Sequence, residues 1–146
     1  MIALLQRVSA ARVDIGGRCV GEITSGLLVL IGVQKDDAEP QLRRLLQRIL
    51  AYRVFADPQG RMNLSLADTG GGLLLVPQFT LAADTRRGNR PGFSTAAPPQ
   101  RAQALFEQLV AAAAQQHPAV ASGRFGADMQ VSLTNDGPVT FWLEAS

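Results

Sequence analysis

Hydrophobic and polar positions along the first third of the chain predict three strands. Residues 13–20 alternate apolar and polar side chains around Gly16-Gly17, which is typical of a β-hairpin because glycine readily adopts the positive φ of a tight turn. Residues 3–8 and 26–33 also have strand patterns, and the second segment is apolar at nearly every position. We therefore expect that segment to be a strand buried on both faces.

Apolar side chains spaced three and four residues apart predict two main helices. The first follows Asp36-Asp37 and Pro40, since acidic residues and proline both suit a first helical turn, and its apolar stripe is Leu42, Leu45, Leu46, Ile49 and Leu50. The second opens at Pro98-Pro99, with its stripe at Ala102, Leu105, Phe106, Leu109, Val110 and Ala113. It ends near His117, which we expect to cap the helix or lie on the surface.

Turn residues and aperiodic stretches divide the rest of the chain. A loop over 68–72 leads into the apolar strand 73–76, and its three glycines lack the Gly-Lys-Ser/Thr ending of a phosphate-binding loop. Residues 82–99 form a long polar segment of the kind that is uncommon without a function. The C-terminal pattern predicts a strand over 129–134, a turn at 135–138 and a strand over 139–143. One α+β domain spanning residues 1–146 is therefore predicted.

Composition limits the chemistry, because the 146 residues include one cysteine, Cys19, and one histidine, His117. A structural zinc site needs about four such ligands, a disulfide needs two cysteines, and a cysteine-histidine catalytic pair would require both single residues. The carboxylates also lack the spacing of a recognisable catalytic pair. We therefore expect a protein with no metal and no cofactor.

The ends of the chain and its charge add two expectations. The N-terminus turns polar after five residues and the longest apolar run is residues 27–31, which predicts a cytosolic protein without a signal peptide or membrane segment. Thirteen of the 14 basic residues are arginine. That excess has two explanations, codon bias in a GC-rich genome or phosphate binding, since the guanidinium fork matches phosphate geometry, and the cluster Arg86, Arg87 and Arg90 is the candidate for such contacts.

Two short motifs have ordinary readings when each is taken alone. Gln78-Phe79-Thr80-Leu81 follows the buried strand, where Thr80 is either an ordinary strand residue or a nucleophilic or orienting hydroxyl. Gly137-Pro138 is either a simple turn or a functional cis peptide. Together, about 55 residues apart, they resemble the paired motifs of the D-aminoacyl-tRNA deacylases. The resemblance extends over nearly the whole chain and includes residues 1–8, 26–33, 61–64, 81–85, 123–129 and 141–143.

This resemblance implies a cytosolic homodimer with a barrel-like core of mixed and antiparallel sheet. Such an enzyme hydrolyses the ester between a D-amino acid and the 3′-terminal adenosine of tRNA, and glycine charged to tRNA is also a substrate of the family. The resemblance assigns Gly137 and Pro138 to a cis peptide that enters the partner subunit and excludes L-amino acids. Arg7 is then expected to orient that motif.

The resemblance also places Gln78, Phe79 and Thr80 at the floor of the site, where the ester carbonyl is polarised. Backbone N–H groups of Phe79 and Thr80 are suited to stabilise the negative charge that ester hydrolysis develops on the carbonyl oxygen. In the family, the 2′-hydroxyl of the tRNA's own terminal adenosine helps to activate water. An older view instead makes the threonine the nucleophile. We favour the first mechanism and keep Thr80 as a site residue in both.

Binding of the tRNA end is expected to involve two further groups. Phe125 and Met129 are candidates for a pocket around the terminal adenine, since apolar and aromatic side chains stack on bases, although both also suit a core. Arg86, Arg87 and Arg90 are expected to contact acceptor-stem phosphates, which sets affinity without reading sequence.

Pro77 departs from the family, which usually has serine before Gln-Phe-Thr. Proline removes a hydroxyl and a backbone N–H, so any contribution of that serine is absent or replaced. The departure leaves open a noncatalytic, dimeric RNA-binding module of the same fold. A hydrolase of another small ester, or a relative with a trans Gly-Pro bond and altered chirality, is the third possibility.

Overall fold

The computed structural model describes residues 1–146, and its two longest strands come from the two ends of the chain. β1 (Ile2–Ile15) pairs antiparallel with β8 (Gln130–Glu144) along almost its full length. On its other edge, β1 pairs first with β3 (Gly26–Gly32) and then with β2 (Arg18–Ile23), both antiparallel. The predicted hairpin around Gly16-Gly17 is confirmed, because both glycines have positive φ angles in the β1–β2 turn.

Two parallel strands extend this sheet and bring it round on itself. β6 (Gly72–Pro77) pairs with β3, and β7 (Val120–Ser122) pairs with β6. The open edge of β2 approaches β7 so closely that a Cβ atom on Gly21 would lie 2.9 Å from the carbonyl oxygen of Ser122. The sheet is thus nearly closed, which confirms the barrel-like α+β fold; β4 (Phe55–Ala56) and β5 (Met62–Leu64) form a separate small hairpin.

Two main helices cover one face of the sheet, as the pattern predicted. α1 (Glu39–Ala51) buries its whole predicted stripe. α3 (Pro99–Gln116) buries its own stripe except for Val110, which is half-buried. Both stripes join one core of 23 buried residues with the inner faces of β3 and β6. Each buried leucine contributes roughly 1.5–3 kcal/mol to folding, so the stripes hold the helices on the sheet.

A short third helix, α2 (Leu66–Thr69), precedes β6 and was not predicted. None of the three helices is both long and apolar enough to cross a membrane.

The predicted turn at residues 135–138 is wrong, because β8 runs as one strand from Gln130 to Glu144. The two halves do not pair with each other; both pair with β1, and Val8 faces Asn135 while Gln6 faces Thr140. Arg7 alone therefore lies opposite residues 136–139, which form a wide bulge within β8. The side chain of Asn135 closes this bulge, because Oδ1 accepts from the N–H of Val139 at 2.7 Å and Nδ2 donates to Thr140 Oγ1 at 3.0 Å.

His117 caps α3, which is one of its two predicted roles, and the alternative of a surface position is wrong. Its backbone N–H donates to the carbonyl of Ala113 and ends the helix. The imidazole is 4% exposed, and Nε2 lies 2.5 Å from the carbonyl oxygen of Gly71. The ring therefore ties the end of α3 to the segment before β6, because the buried imidazole has a polar atom that needs a partner.

Candidate active site

The predicted site begins where β6 leaves the sheet. The last ladder contact is made by the N–H of Gln78, which donates to the carbonyl of Ile31 at 2.7 Å. The chain then enters a 3-10 turn over Phe79–Ala82, with Phe79 and Thr80 exposed. The motif therefore stands at the rim of the barrel on a rigid buried strand.

Two neighbouring backbone N–H groups are free at this turn. The first N–H groups of a helical turn have no partner within the turn. Those of Phe79 and Thr80 also have no acceptor elsewhere in the chain, whereas the N–H of Leu81 donates to Gln78 and that of Ala83 donates to Thr80. The turn thus presents adjacent uncompensated donors to solvent.

The hydroxyl of Thr80 is held by its own motif and lies in a cleft. Gln78 Nε2 donates to Thr80 Oγ1 at 2.5 Å. The cleft has a volume of about 520 Å³, and Trp142, Asp84, Arg86 and Glu144 are among its lining residues. No histidine lies in the cleft. The sequence did not indicate Trp142 and Glu144, because they come from the far end of the chain and have no motif of their own, whereas Asp84 lies in the segment 81–85 that resembles the family.

Arg7 contacts the bulge that carries Gly137-Pro138. Its Nε donates to the carbonyl of Asp136 at 2.9 Å, and NH1 donates to the carbonyl of Val54 at 2.7 Å. The Gly137-Pro138 bond is cis, and both residues are exposed. A Cβ on Gly137 would lie 2.6 Å from Val139 Cγ2, so this position admits no side chain without rearrangement.

The two motifs do not meet within one chain. Ile2 lines the Thr80 cleft, and Arg7 lies opposite the bulge that carries Gly137-Pro138. Five residues of β1 separate these positions, which is about 17 Å at roughly 3.4 Å per residue. A site that uses both motifs would need them from different chains.

Phe125 and Met129 lie on different sides of the sheet. Phe125 lines a cleft of about 360 Å³ beside α3 and packs against the main core. Met129 packs instead against a second, smaller core that includes Val76. A Cβ on Gly123 would lie 2.7 Å from Met129 Sδ and 3.5 Å from Pro77 Cδ, so Met129 is next to the end of β6.

Pro77 ends the ladder between β6 and β7. The N–H of Gly123 donates to the carbonyl of Leu75 at 2.9 Å. In a parallel ladder the next bond would run from the N–H of residue 77 to the carbonyl of Gly123. Proline has no N–H, and no other group in the chain donates to that carbonyl.

The arginine cluster lies on a loop that begins beside the Thr80 cleft. Arg86 forms an ion pair with Asp84. The hydrogen bonds and charge of the Arg86 guanidinium hold the pKa of the Asp84 carboxyl well below its usual range. Arg87 and Arg90 are exposed and form no ion pair. The ring of Phe93, which follows this loop, packs at a tilt against the ring of Phe79, with ring centres 5.1 Å apart.

Known proteins are similar in sequence to this chain over nearly its whole length. A family described as D-Tyr-tRNA(Tyr) deacylase matches residues 4–144. The chain is 64% identical over 145 residues to a D-aminoacyl-tRNA deacylase of Alkalilimnicola ehrlichii, covering 99% of this chain and 97% of that protein. It is 63% identical over 144 residues to a protein of the same name from Pseudomonas paraeruginosa, covering 99% of each.

Solved structures show the same fold. A protein described as c-Myc DNA Unwinding Element Binding Protein has a TM-score of 0.96 and 36% identity, covering 100% of this chain and 99% of that one. A probable eukaryotic D-amino acid tRNA deacylase has a TM-score of 0.79 at 19% identity, covering 98% of each chain, and it supports the fold alone. By its full-length match and its identity to named relatives, this chain belongs to the D-Tyr-tRNA(Tyr) deacylase family.

Proposed function

We propose that the chain hydrolyses the ester bond between a D-amino acid and the 3′-terminal adenosine of tRNA, releasing free amino acid and tRNA. Glycine charged to tRNA is a second substrate under this proposal. The observation that carries it is the pair of unpartnered N–H groups on Phe79 and Thr80 in a member of a deacylase family.

Those two N–H groups are suited to bind a tetrahedral oxyanion. Water adds to the ester carbonyl, the carbonyl oxygen becomes negative, and preorganised backbone donors stabilise it at no cost of reorganisation. The bond between the carbonyl carbon and the 3′-oxygen then breaks, and that oxygen takes a proton. A donor of this kind is typically worth about 3–4 kcal/mol of the barrier.

The substrate's own 2′-hydroxyl assists the water, and Thr80 orients the ester. Its Oγ1 already accepts from Gln78, and no histidine lies in the cleft to remove its proton. A nucleophilic threonine needs an adjacent general base, so the alternative of covalent attack by Thr80 has less support.

Chiral selection in this proposal comes from Gly137 and Pro138 of a second copy in a homodimer. The separation of the two motifs along β1 supports a shared site, because one chain does not hold both at the same place. Arg7 acts as a positioning residue, since it holds the bulge through the carbonyl of Asp136. Main-chain atoms of the motif would exclude an L side chain by contact.

Met129 is the proposed contact of the terminal adenosine, whereas Phe125 lies on the other side of the sheet and does not share that contact. The position of Met129 beside Pro77 at the end of β6 supports this assignment.

Arg87 and Arg90 are proposed contacts of tRNA phosphates, and Arg86, which is paired with Asp84, belongs to the same loop. An aminoacyl-tRNA substrate also places the enzyme in the cytoplasm, where translation occurs.

The competing proposal is a noncatalytic, dimeric RNA-binding module of this fold, and Pro77 is the residue that favours it. Incubation of the purified protein with D-Tyr-tRNA and L-Tyr-tRNA separates the two, with a protein-free sample as the control for spontaneous hydrolysis. We expect release from D-Tyr-tRNA only. No release would support the binding module, and equal release would remove the chiral filter.

Light scattering tests the shared site independently. A dimer is expected, and a monomer that still hydrolyses D-Tyr-tRNA selectively would overturn the contribution of a second chain.

A further inference from the structure

The arginine loop, residues 84–92, is closed at its neck by backbone bonds. The N–H of Asp84 donates to the carbonyl of Gly92 at 2.7 Å, and the N–H of Gly92 donates back to Asp84 at 3.0 Å. Gly88 has a φ of +65°, which lets the chain turn at the tip. The loop is therefore a defined structure fixed to the rim of the barrel.

Asp84 uses its side chain to fix the next part of this loop. Its Oδ1 accepts from the backbone N–H of Arg86 at 3.1 Å, and its two carboxylate oxygens accept from Nε and NH2 of the same residue at 2.8 and 2.7 Å. This is the two-bond match of a guanidinium with a carboxylate. One edge of the Arg86 fork is thus occupied and its charge is compensated.

The other two arginines have no such partner. Arg87 and Arg90 donate no hydrogen bond within the chain, and together with Asp84, Arg86, Gly92 and Ser94 they line a cleft of about 490 Å³ with no hydrophobic side chain. Asp84 and Arg86 line both this cleft and the one that holds Thr80. The arginine cleft and the proposed reaction site are therefore neighbours across one ion pair.

We propose that Arg87 and Arg90 bind a backbone phosphate near the 3′ end of the tRNA, while Asp84 and Arg86 are positioning residues that hold the loop. This rests on the proposed function for the identity of the nucleic acid, and it assigns the three arginines to two different tasks. Free guanidinium groups bind phosphate oxygens strongly, whereas Arg86 would first have to leave its carboxylate. The shared wall puts the bound phosphate next to the terminal nucleotide.

The test is the salt dependence of uncharged tRNA binding, measured by fluorescence anisotropy. Each phosphate contact contributes about 0.7 to the slope of log affinity against log salt for a single strand. Because the two arginines share one phosphate, we expect the double variant Arg87→Ala/Arg90→Ala to lower the slope by about this amount, and each single variant to lower it by part of that amount and to weaken binding about fivefold at low salt. Arg86→Ala is expected to weaken binding by about threefold or less with an unchanged slope.

Arg44→Ala is the matched control, because Arg44 is an exposed arginine of α1 without an ion pair. We expect it to change neither affinity nor slope. The proposal is overturned if Arg86→Ala lowers the slope as much as Arg87→Ala, if Arg44→Ala does the same, or if no loop variant lowers it.

A second substrate separates this proposal from the reaction itself. We expect Arg87→Ala and Arg90→Ala to reduce kcat/KM about fivefold on D-Tyr-tRNA but not on 3′-O-D-tyrosyl-adenosine, which has no phosphate. Equal losses on both substrates would overturn the phosphate assignment. If the unmodified protein hydrolyses neither ester, the proposed function is wrong. The salt dependence of tRNA binding still tests the phosphate site in that case.

Discussion

Arg7 donates from Nε to the carbonyl oxygen of Asp136 at 2.9 Å, and this bond joins residues 129 positions apart in sequence. The same guanidinium donates from NH1 to Val54 at 2.7 Å. The Arg7 side chain is 18% exposed, and its bond to Val54 is partly buried, whereas its bond to Asp136 lies at the exposed bulge. Arg7 therefore ties the bulge of β8 to the segment after α1.

Removal of Arg7 is expected to release the bulge while the barrel remains folded. Arg7→Ala loses two hydrogen bonds from a charged donor, and such a bond is worth about 1.5–3 kcal/mol. Because the bond to Asp136 is exposed and contributes less, we expect the free energy of unfolding to fall by about 2–4 kcal/mol. The rate of D-Tyr-tRNA deacylation is expected to fall about tenfold or more, because the bulge is no longer held in position. A tenfold loss corresponds to an activation barrier higher by about 1.4 kcal/mol. Circular dichroism checks the fold and single-turnover hydrolysis checks the activity.

Arg12→Ala is the control on the same strand. Arg12 pairs with Asp14 on the surface, and exposed pairs contribute about 0–1 kcal/mol, so stability and activity should both stay near those of the unmodified protein. A large loss of activity in this variant as well would show that β1 tolerates no change and that Arg7 has no special effect.

Loss of the Thr80 hydroxyl is expected to have a modest effect. If backbone N–H groups of Phe79 and Thr80 stabilise the oxyanion, Thr80→Val keeps both of them and should reduce kcat less than about tenfold. A nucleophilic hydroxyl would make the same change cost about 10³-fold or more. Rapid-quench hydrolysis of D-Tyr-tRNA measures the difference, with Thr80→Ser as the variant that retains a hydroxyl.

Local pattern was sufficient for most of the fold. The stripes of α1 and α3, the Gly16-Gly17 hairpin and the buried strands β3 and β6 follow from spacing alone, because each element buries one continuous face. The C-terminal turn failed for a specific reason. Asn135 and Gly137-Pro138 have the composition of a hairpin turn, but the partner of both flanking segments is β1, which no local pattern identifies.

Contacts at the site were predictable only where one motif contains them. Gln78 and Thr80 are two residues apart, and their hydrogen bond lies within a single turn. Trp142 reaches the Thr80 cleft only through the pairing of β8 with β1. Asp84 showed no recognisable spacing, since its partner is a nearby arginine in an aperiodic loop.

The Asp84–Arg86 pair has a measurable titration. The guanidinium lowers the pKa of Asp84 below its ordinary 3.8, so the pair's contribution is fully present above that value and is lost as pH falls through the lower, folded pKa. Arg86→Ala is expected to raise the pKa of Asp84 back towards its ordinary range. Carboxyl ¹³C chemical shifts measure it.

Asp14 serves as the internal reference in the same titration, because Arg12 lowers its pKa on a different part of the surface. Its midpoint should not move in the Arg86 variant. An unchanged midpoint for Asp84 would show that the ion pair does not form in solution.

Asp37 is expected to contribute strongly to the stability of the fold. It is 4% exposed, and its carboxylate accepts from the amino group of Met1 at 2.7 Å and from the N–H of Gln34 at 2.6 Å. Asp37→Ala leaves a buried ammonium without its counter-charge and should cost about 3–5 kcal/mol in urea unfolding. Asp36→Ala, at the exposed neighbour, should change stability by about 0.5 kcal/mol or less, and equal losses would contradict the buried pair.

The variant Pro77→Ala tests whether proline is what ends the β6–β7 ladder. Pro77→Ala restores an N–H at the position where the β6–β7 ladder would place its next donor, facing the carbonyl of Gly123. We expect this new amide to exchange slowly with solvent, comparably to that of Gly123, in hydrogen-exchange NMR. Net stability should change by about 1 kcal/mol or less, because the added bond offsets the greater freedom of the unfolded chain. A rapidly exchanging amide at 77 would show that the strands have already parted there, in which case proline is not what ends the ladder.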